Sequence, residues 1–110
     1  MNKLSINGIN AVISFDADIN LFRGEFVGLN GYADFYAFDV AGLKKEGEIS
    51  LKVFLEACKA DNVTPYKQYS GKLITRISPD LHALAAETAK AQKVSLNALI
   101  ERAIQHEIAA

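Results

Sequence analysis

Apolar and polar positions alternate through the first third of the chain, and a period of two marks strands with one covered face. Ala11, Ile13 and Phe15 share one side, Val12 and Ser14 the other, and the polar Asp16-Ala17-Asp18 stretch turns the chain. The alternation resumes over Leu21 to Leu29 (LFRGEFVGL). Asn30-Gly31 is a two-residue hairpin signal, and Tyr32 to Phe38 (YADFYAF) completes a three-stranded antiparallel meander. Beyond Asp39, a residue suited to cap a helix, Val40, Leu43, Gly47, Leu51, Phe54, Leu55 and Cys58 recur at steps of three and four. That period predicts a helix packed across one face of the sheet. Gly42 and Gly47 each weaken it by about 1 kcal/mol relative to alanine, so the run Lys44 to Glu48 is the expected break between two shorter pieces. Pro65 disfavours helix at Thr64, and Asp61 to Lys67 reads as a linker.

The pattern then changes again, in YSGKLITRISPDLH, Tyr69 to His82. In a strand, Leu73, Thr75 and Ile77 point one way while Lys72, Ile74 and Arg76 point the other. Ser78 is a good N-cap, Pro79 suits the first helical position and Asp80 favours the positive helix end. The predicted helix runs to about Gln92 with Leu81, Leu84, Ala85, Thr88 and Ala89 on one stripe. After the turn Lys93-Val94, Ser95 is a second N-cap, and Leu96, Leu99, Ile100, Ala103, Ile104 and Ile108 form another stripe. A strand and two helices in about forty residues have too little core to stand alone, and a lone strand has no partner. Both defects vanish if two copies pair their strands antiparallel and interlock their helices. The expected dimer core is Leu73, Thr75, Ile77, Leu96, Leu99, Ile100 and Ile104. The fold class is therefore α+β, with a sheet-and-helix domain and linker over 1–68 and a dimeric module over 69–110.

Composition narrows the classes of function. The 110 residues are 50% hydrophobic and 23% charged with a net charge of −1, an ordinary globular balance. The single cysteine, Cys58, cannot close an intrachain disulfide, which fits a reducing compartment. With no apolar run of membrane-spanning length and no apolar secretory core in MNKLSING, a cytoplasmic protein without membrane contact is expected. The charge is uneven: Leu4 to Leu43 holds five acids (Asp16, Asp18, Glu25, Asp34, Asp39) and one base (Arg23), a net −4. Ser70 to Ala110 holds five bases and four acids, a net +1. That is no broad basic footprint, so DNA binding by this end needs a few placed residues, doubled by dimerisation.

Other chemistry is thin. His82 and His106 have no second ligand at metal spacing. Cys58 continues an apolar stripe without a base partner, which suits a buried structural thiol. No phosphate-binding glycine loop, CxxC pair or nucleophile elbow is present, and no cofactor is expected.

Ser70 to about Ile108 resembles the ribbon-helix-helix DNA-binding fold, in which a two-stranded ribbon lies in the major groove. YSGKLITRISPDLH followed by SLNALI is similar to the C-terminal part of HicB-family antitoxins of bacterial toxin–antitoxin operons. FRGEFVGL, the next strand and the helix ending FLEAC are similar to the N-terminal HicB domain, a degenerate RNase H-like sheet. The resemblance implies an antitoxin that neutralises a small basic HicA-like mRNA-cleaving toxin and represses its own operon as a homodimer or higher oligomer on double-stranded operator DNA. It implies that Lys72, Ile74 and Arg76 face base edges and that Ser95, Leu96 and Asn97 hold a phosphate at a helix start. Ile74 stands where the family has a polar residue, and so either meets a thymine methyl or marks altered reading. Thr75 stands where a larger apolar residue is common. The toxin would meet the acidic hairpin and third strand, at Asp16, Asp18, Glu25 and Asp34. RNase H-like enzymes hold metals with carboxylates, but turn and cap roles account for Asp16, Asp18 and Asp39, and the family domain is catalytically inert. No enzyme, no catalytic residue and no metal are expected. A rival assignment keeps the C-terminal module for dimerisation alone.

Overall fold

The first turn is set by Asn7 and Gly8, both with positive φ (50° and 83°), the backbone of a two-residue hairpin whose twist matches its strands. In a computed structural model that describes residues 2–109, this turn joins β1 (Lys3–Ile6) to β2 (Ile9–Asp16), with Ile6 opposite Ile9. β3 (Leu21–Phe26) and β4 (Asp34–Ala37) follow, and the antiparallel order is β1-β2-β3-β4. The sheet thus has four strands, not the three expected: LSINGINAV carries the hairpin signal, and β1 is short. The expected strands over Leu21–Leu29 and Tyr32–Phe38 are also shorter. Seven residues join β3 to β4, so Asn30-Gly31 does not close a two-residue hairpin.

Helix α1 (Val40–Ala60) is capped by Asp39, whose carboxylate accepts from the Gly42 amide at 2.7 Å. It runs unbroken through both glycines. The reason lies across the core, since a Cβ on Gly47 would stand 2.0 Å from Ile6 Cδ1 and 3.2 Å from two Phe35 ring atoms. Glycine there lets the helix approach the sheet, and that contact outweighs its low propensity. Asn62 in the left-handed region (φ 56°) closes the helix, with the amide of Val63 donating to Cys58 O at 2.9 Å and that of Asn62 to Lys59 O at 3.3 Å, a Schellman arrangement.

Strand register sorts the two sheet faces. Ala11, Phe26, Ile13, Gly24, Phe15 and Phe22 are matched across β2 and β3, and Phe35 and Ala37 of β4 lie opposite Gly24 and Phe22. This is the face α1 covers, and Ile6, Ala11, Leu29, Phe35, Ala37, Leu43 and Leu51 form its buried cluster. Cys58 is buried farther along α1. Segment 61–67 is held, not loose: the Asn30 amide donates to Pro65 O at 2.8 Å, its Nδ2 to Thr64 O at 2.9 Å, and the Lys67 amide to Gly28 O at 2.9 Å.

Backbone contacts divide the chain into units Met1–Ser70 and Gly71–Ala110. The second contains α2 (Pro79–Ala91) and α3 (Leu96–Ala109). Residues 72–77, expected as a strand, belong to no strand in the single chain. A ladder needs two strands, and this unit supplies one segment.

Candidate nucleic-acid interface and partner surface

The second unit is built around two helix starts. Ser78 Oγ accepts from the Leu81 amide at 3.2 Å with Pro79 in the first helical position, and Ser95 Oγ accepts from the Ala98 amide at 3.0 Å. These side chains satisfy amides left without intrahelical partners. Lys93, at φ 57°, ends α2 with the Val94 amide donating to Ala89 O at 3.0 Å, and Arg102 donates from α3 to the Gln92 side chain. The helix ends are capped, whereas the interior is nearly absent. Among the described residues of this unit Ala89 alone is buried, and α3 buries none.

The expected dimer-core residues lie accordingly. Leu73 is 74% exposed, while Ile77 and Ile104 are each 42% exposed and Leu96, Leu99 and Ile100 are half-buried. Thr75 is exposed. Two open grooves run beside segment 72–77, one lined by Lys72, Leu73, Thr75, Ile100 and Ile104 with polar neighbours, the other by Ile74, Thr75, Arg76, Ile77, Leu96 and Ile100, so residues of both predicted faces border them. Lys72, Arg76, Ser95 and Asn97 are exposed, and Ile74, between the two cations, is fully so. Leu96 therefore serves the apolar stripe while neighbouring the capped helix start.

In the first unit, the four acids proposed from sequence do not form one cluster. Asp16 Oδ1 accepts from the Asp18 amide at 3.0 Å, a turn role between β2 and β3. Glu25 and Asp34 face each other across β3 and β4, on the side away from α1. Arg23 joins them, with Nη1 3.0 Å from Glu25 Oε1 and Nη2 2.5 Å from Asp34 Oδ2. The hydrogen bond to Asp34 raises the guanidinium's pKa above its ordinary value, against a smaller desolvation effect. Among the described residues no group of three or more histidine, cysteine or carboxylate side chains is placed to hold a metal. No helix among them is long and apolar enough to cross a membrane.

The sequence reading missed the exposed aromatics of this unit. Tyr32 is 98% exposed and Phe38 81%, at the two ends of the edge strand β4, and Tyr36 between them is exposed beside Arg23. The alternation in YADFYAF contains them, but it ranks them as strand residues without telling an open edge from a covered one.

The model of the HicB family matches residues 54–104, from late α1 through the linker and both helices of the second unit. The match supports membership of that family, a toxin–antitoxin family, and is consistent with an antitoxin role. No curated protein and no solved structure matches the chain.

Proposed function

We propose that this chain is the antitoxin of a toxin–antitoxin pair. Residues 71–110 pair with a second copy into a ribbon-helix-helix dimer that binds operator DNA and represses its own operon. The first unit neutralises a small basic, HicA-like toxin that cleaves mRNA. The protein is not an enzyme and uses no cofactor.

The observation that carries this reading is the second unit's lack of an interior. A unit of this size with one buried residue does not offset the conformational entropy of ordering its backbone, about 1 to 2 kcal/mol per residue. Its exposed Leu73, Ile77, Leu81, Leu84 and Ile104 supply an apolar surface for a second copy. Pairing segment 72–77 with its symmetry mate would complete a ladder and seat Leu73 and Thr75 beside the two grooves. Dimerisation also doubles Lys72 and Arg76, which compensates for the weak positive charge. The −4 balance of Leu4 to Leu43 suits a basic partner by electrostatic complementarity, and Tyr32, Tyr36 and Phe38 offer rigid aromatic area of the kind that anchors interfaces.

The test is a gel-shift titration of the protein against DNA from upstream of its own gene, with unrelated competitor DNA and the Arg76→Ala variant. The expected result is a specific shift that the variant weakens. A folded dimer giving no specific shift would favour the second reading, dimerisation without DNA binding, which Ile74 between Lys72 and Arg76 keeps open.

A further inference from the structure

We infer that the basic partner of the first unit adds a strand to the open edge of β4, and that this strand alternates cationic with apolar side chains; the inference rests on the toxin-binding reading above. β4 is the last strand of its sheet. The Val27 amide donates to Asn10 O at 2.9 Å, so Glu25 and Arg23, at steps of two from Val27, spend their backbone groups on β2. The alternate residues of β3, Gly24 and Phe22, bond instead to Phe35 and Ala37 opposite them, and the Phe26 amide continues that series to Ala33 O. Asp34 and Tyr36 therefore turn their amides and carbonyls away from the sheet. Helix α1 reaches this edge with Ser50, whose Oγ donates to Asp34 O at 3.2 Å. Tyr36 keeps an outward N–H and C=O, with no strand of the described residues beyond them, the arrangement that accepts an added strand.

The two sides of that edge differ in chemistry. On the α1 side, Val53 follows Ser50 by three residues and Ile49 precedes Val53 by four, so both lie on the flank that Ser50 brings to β4; they are 60% and 49% exposed. On the other side stand the exposed Tyr36 and the carboxylates of Asp34 and Glu25, held by the single guanidinium of Arg23. An added strand sends alternate side chains to the two sides: apolar ones onto Ile49 and Val53, cationic ones onto the tyrosine ring and the carboxylates. Charge also chooses between a second copy and a basic protein. Pairing β4 with its own symmetry mate would oppose two segments of net −4, Leu4 to Leu43 of each copy, whereas a basic strand is attracted. The opposite edge offers no such site, because β1 contributes none of the large exposed apolar residues and opens with Lys3, a residue type that discourages strand pairing.

The experiment takes the isotope-labelled full chain, alone and with the basic protein encoded beside its gene, and follows deuterium exchange amide by amide. In the chain alone Tyr36 should exchange fast, and Phe35, bonded to β3, slowly. In the complex the Tyr36 amide is expected to slow by about tenfold or more. Tyr36→Pro removes the outward N–H at an edge position where a sheet tolerates proline. It should bind the partner about tenfold or more weakly, whereas Tyr36→Ala, which keeps the amide, should lose less. A complex in which Tyr36 exchanges as fast as in the chain alone overturns strand addition and leaves the toxin-binding reading standing, as does a folded Tyr36→Pro protein of wild-type affinity. Should Tyr36→Pro fail to fold, the exchange measurement decides without it. Tyr36 exchange that is slow in the chain alone and speeds up on dilution assigns the edge to a second copy and overturns the choice of partner. Absence of any complex with the basic protein removes the toxin-binding reading, and this inference with it.

Discussion

Gly47→Ala sets two well-defined effects against each other. In an isolated helix the substitution gains about 1 kcal/mol of propensity. In this fold the new methyl would stand 2.0 Å from Ile6 Cδ1 and 3.2 Å from two ring atoms of Phe35, and both neighbours are buried, at 3% and 4% exposure. Overpacking of a core costs roughly 1 to 3 kcal/mol, so the net expectation is a destabilisation of about 1 kcal/mol, or a Tm lower by about 4 to 8 °C for a unit of this size. The nearest obstacle is a single atom, and Ile6→Val removes it. Alone, Ile6→Val costs about 0.5 to 1.5 kcal/mol. Combined with Gly47→Ala it should cost less than the sum of the two, with a coupling of about 1 kcal/mol. All four tyrosines lie between Tyr32 and Tyr69, so near-ultraviolet circular dichroism during urea unfolding follows the first unit. Stabilisation by Gly47→Ala, or strict additivity with Ile6→Val, would refute the close packing of α1 on the sheet.

Further expectations concern the helix ends, the linker and the partner surfaces. Lys93→Gly relieves a left-handed residue at the end of α2 and should stabilise the protein by about 1 kcal/mol, read as a higher urea midpoint; a lower one would count against the Schellman closure. Asn30→Ala removes the side-chain bond to Thr64 O and should expose segment 64–70 to limited proteolysis, where an unchanged cleavage rate would show that the clasp is dispensable. Arg76→Ala should weaken operator binding by about 1 to 3 kcal/mol and relax one base position; an unaltered isotherm contradicts base reading. If the aromatic edge holds the toxin, Tyr32→Ala with Phe38→Ala should abolish co-purification with a basic protein encoded beside this gene, while DNA binding persists.

The parts legible in the sequence are those governed by neighbours along the chain. The helix caps at Asp39, Ser78 and Ser95 follow from residue type and spacing, and all three accept the expected amide. The stripe of α1 likewise points Leu43, Gly47, Leu51 and Cys58 inward. Local signals failed where distant contacts decide. Asn7-Gly8 and Asn30-Gly31 are the same dipeptide, yet only the first makes a two-residue hairpin, because the Asn30 side chain is committed to backbone more than thirty residues away. Gly47 looked like a helix breaker because Ile6 and Phe35 are invisible from its neighbourhood. The four acids were grouped by charge, but Asp16 and Asp18 are occupied in a turn and Glu25 and Asp34 are tied to Arg23. The expected strand at 72–77 depends on a second chain, and no single copy can display it.

That dependence makes the mass of the folded protein in solution the most direct measurement. Light scattering across a concentration series, first with the full chain and then with a fragment ending at Ser70, isolates the role of the second unit. The full chain should have at least twice the 12.0 kDa of one chain, and the fragment should be a monomer. A full chain that is folded and monomeric at micromolar concentration would contradict the shared ribbon, and with it the operator-binding dimer.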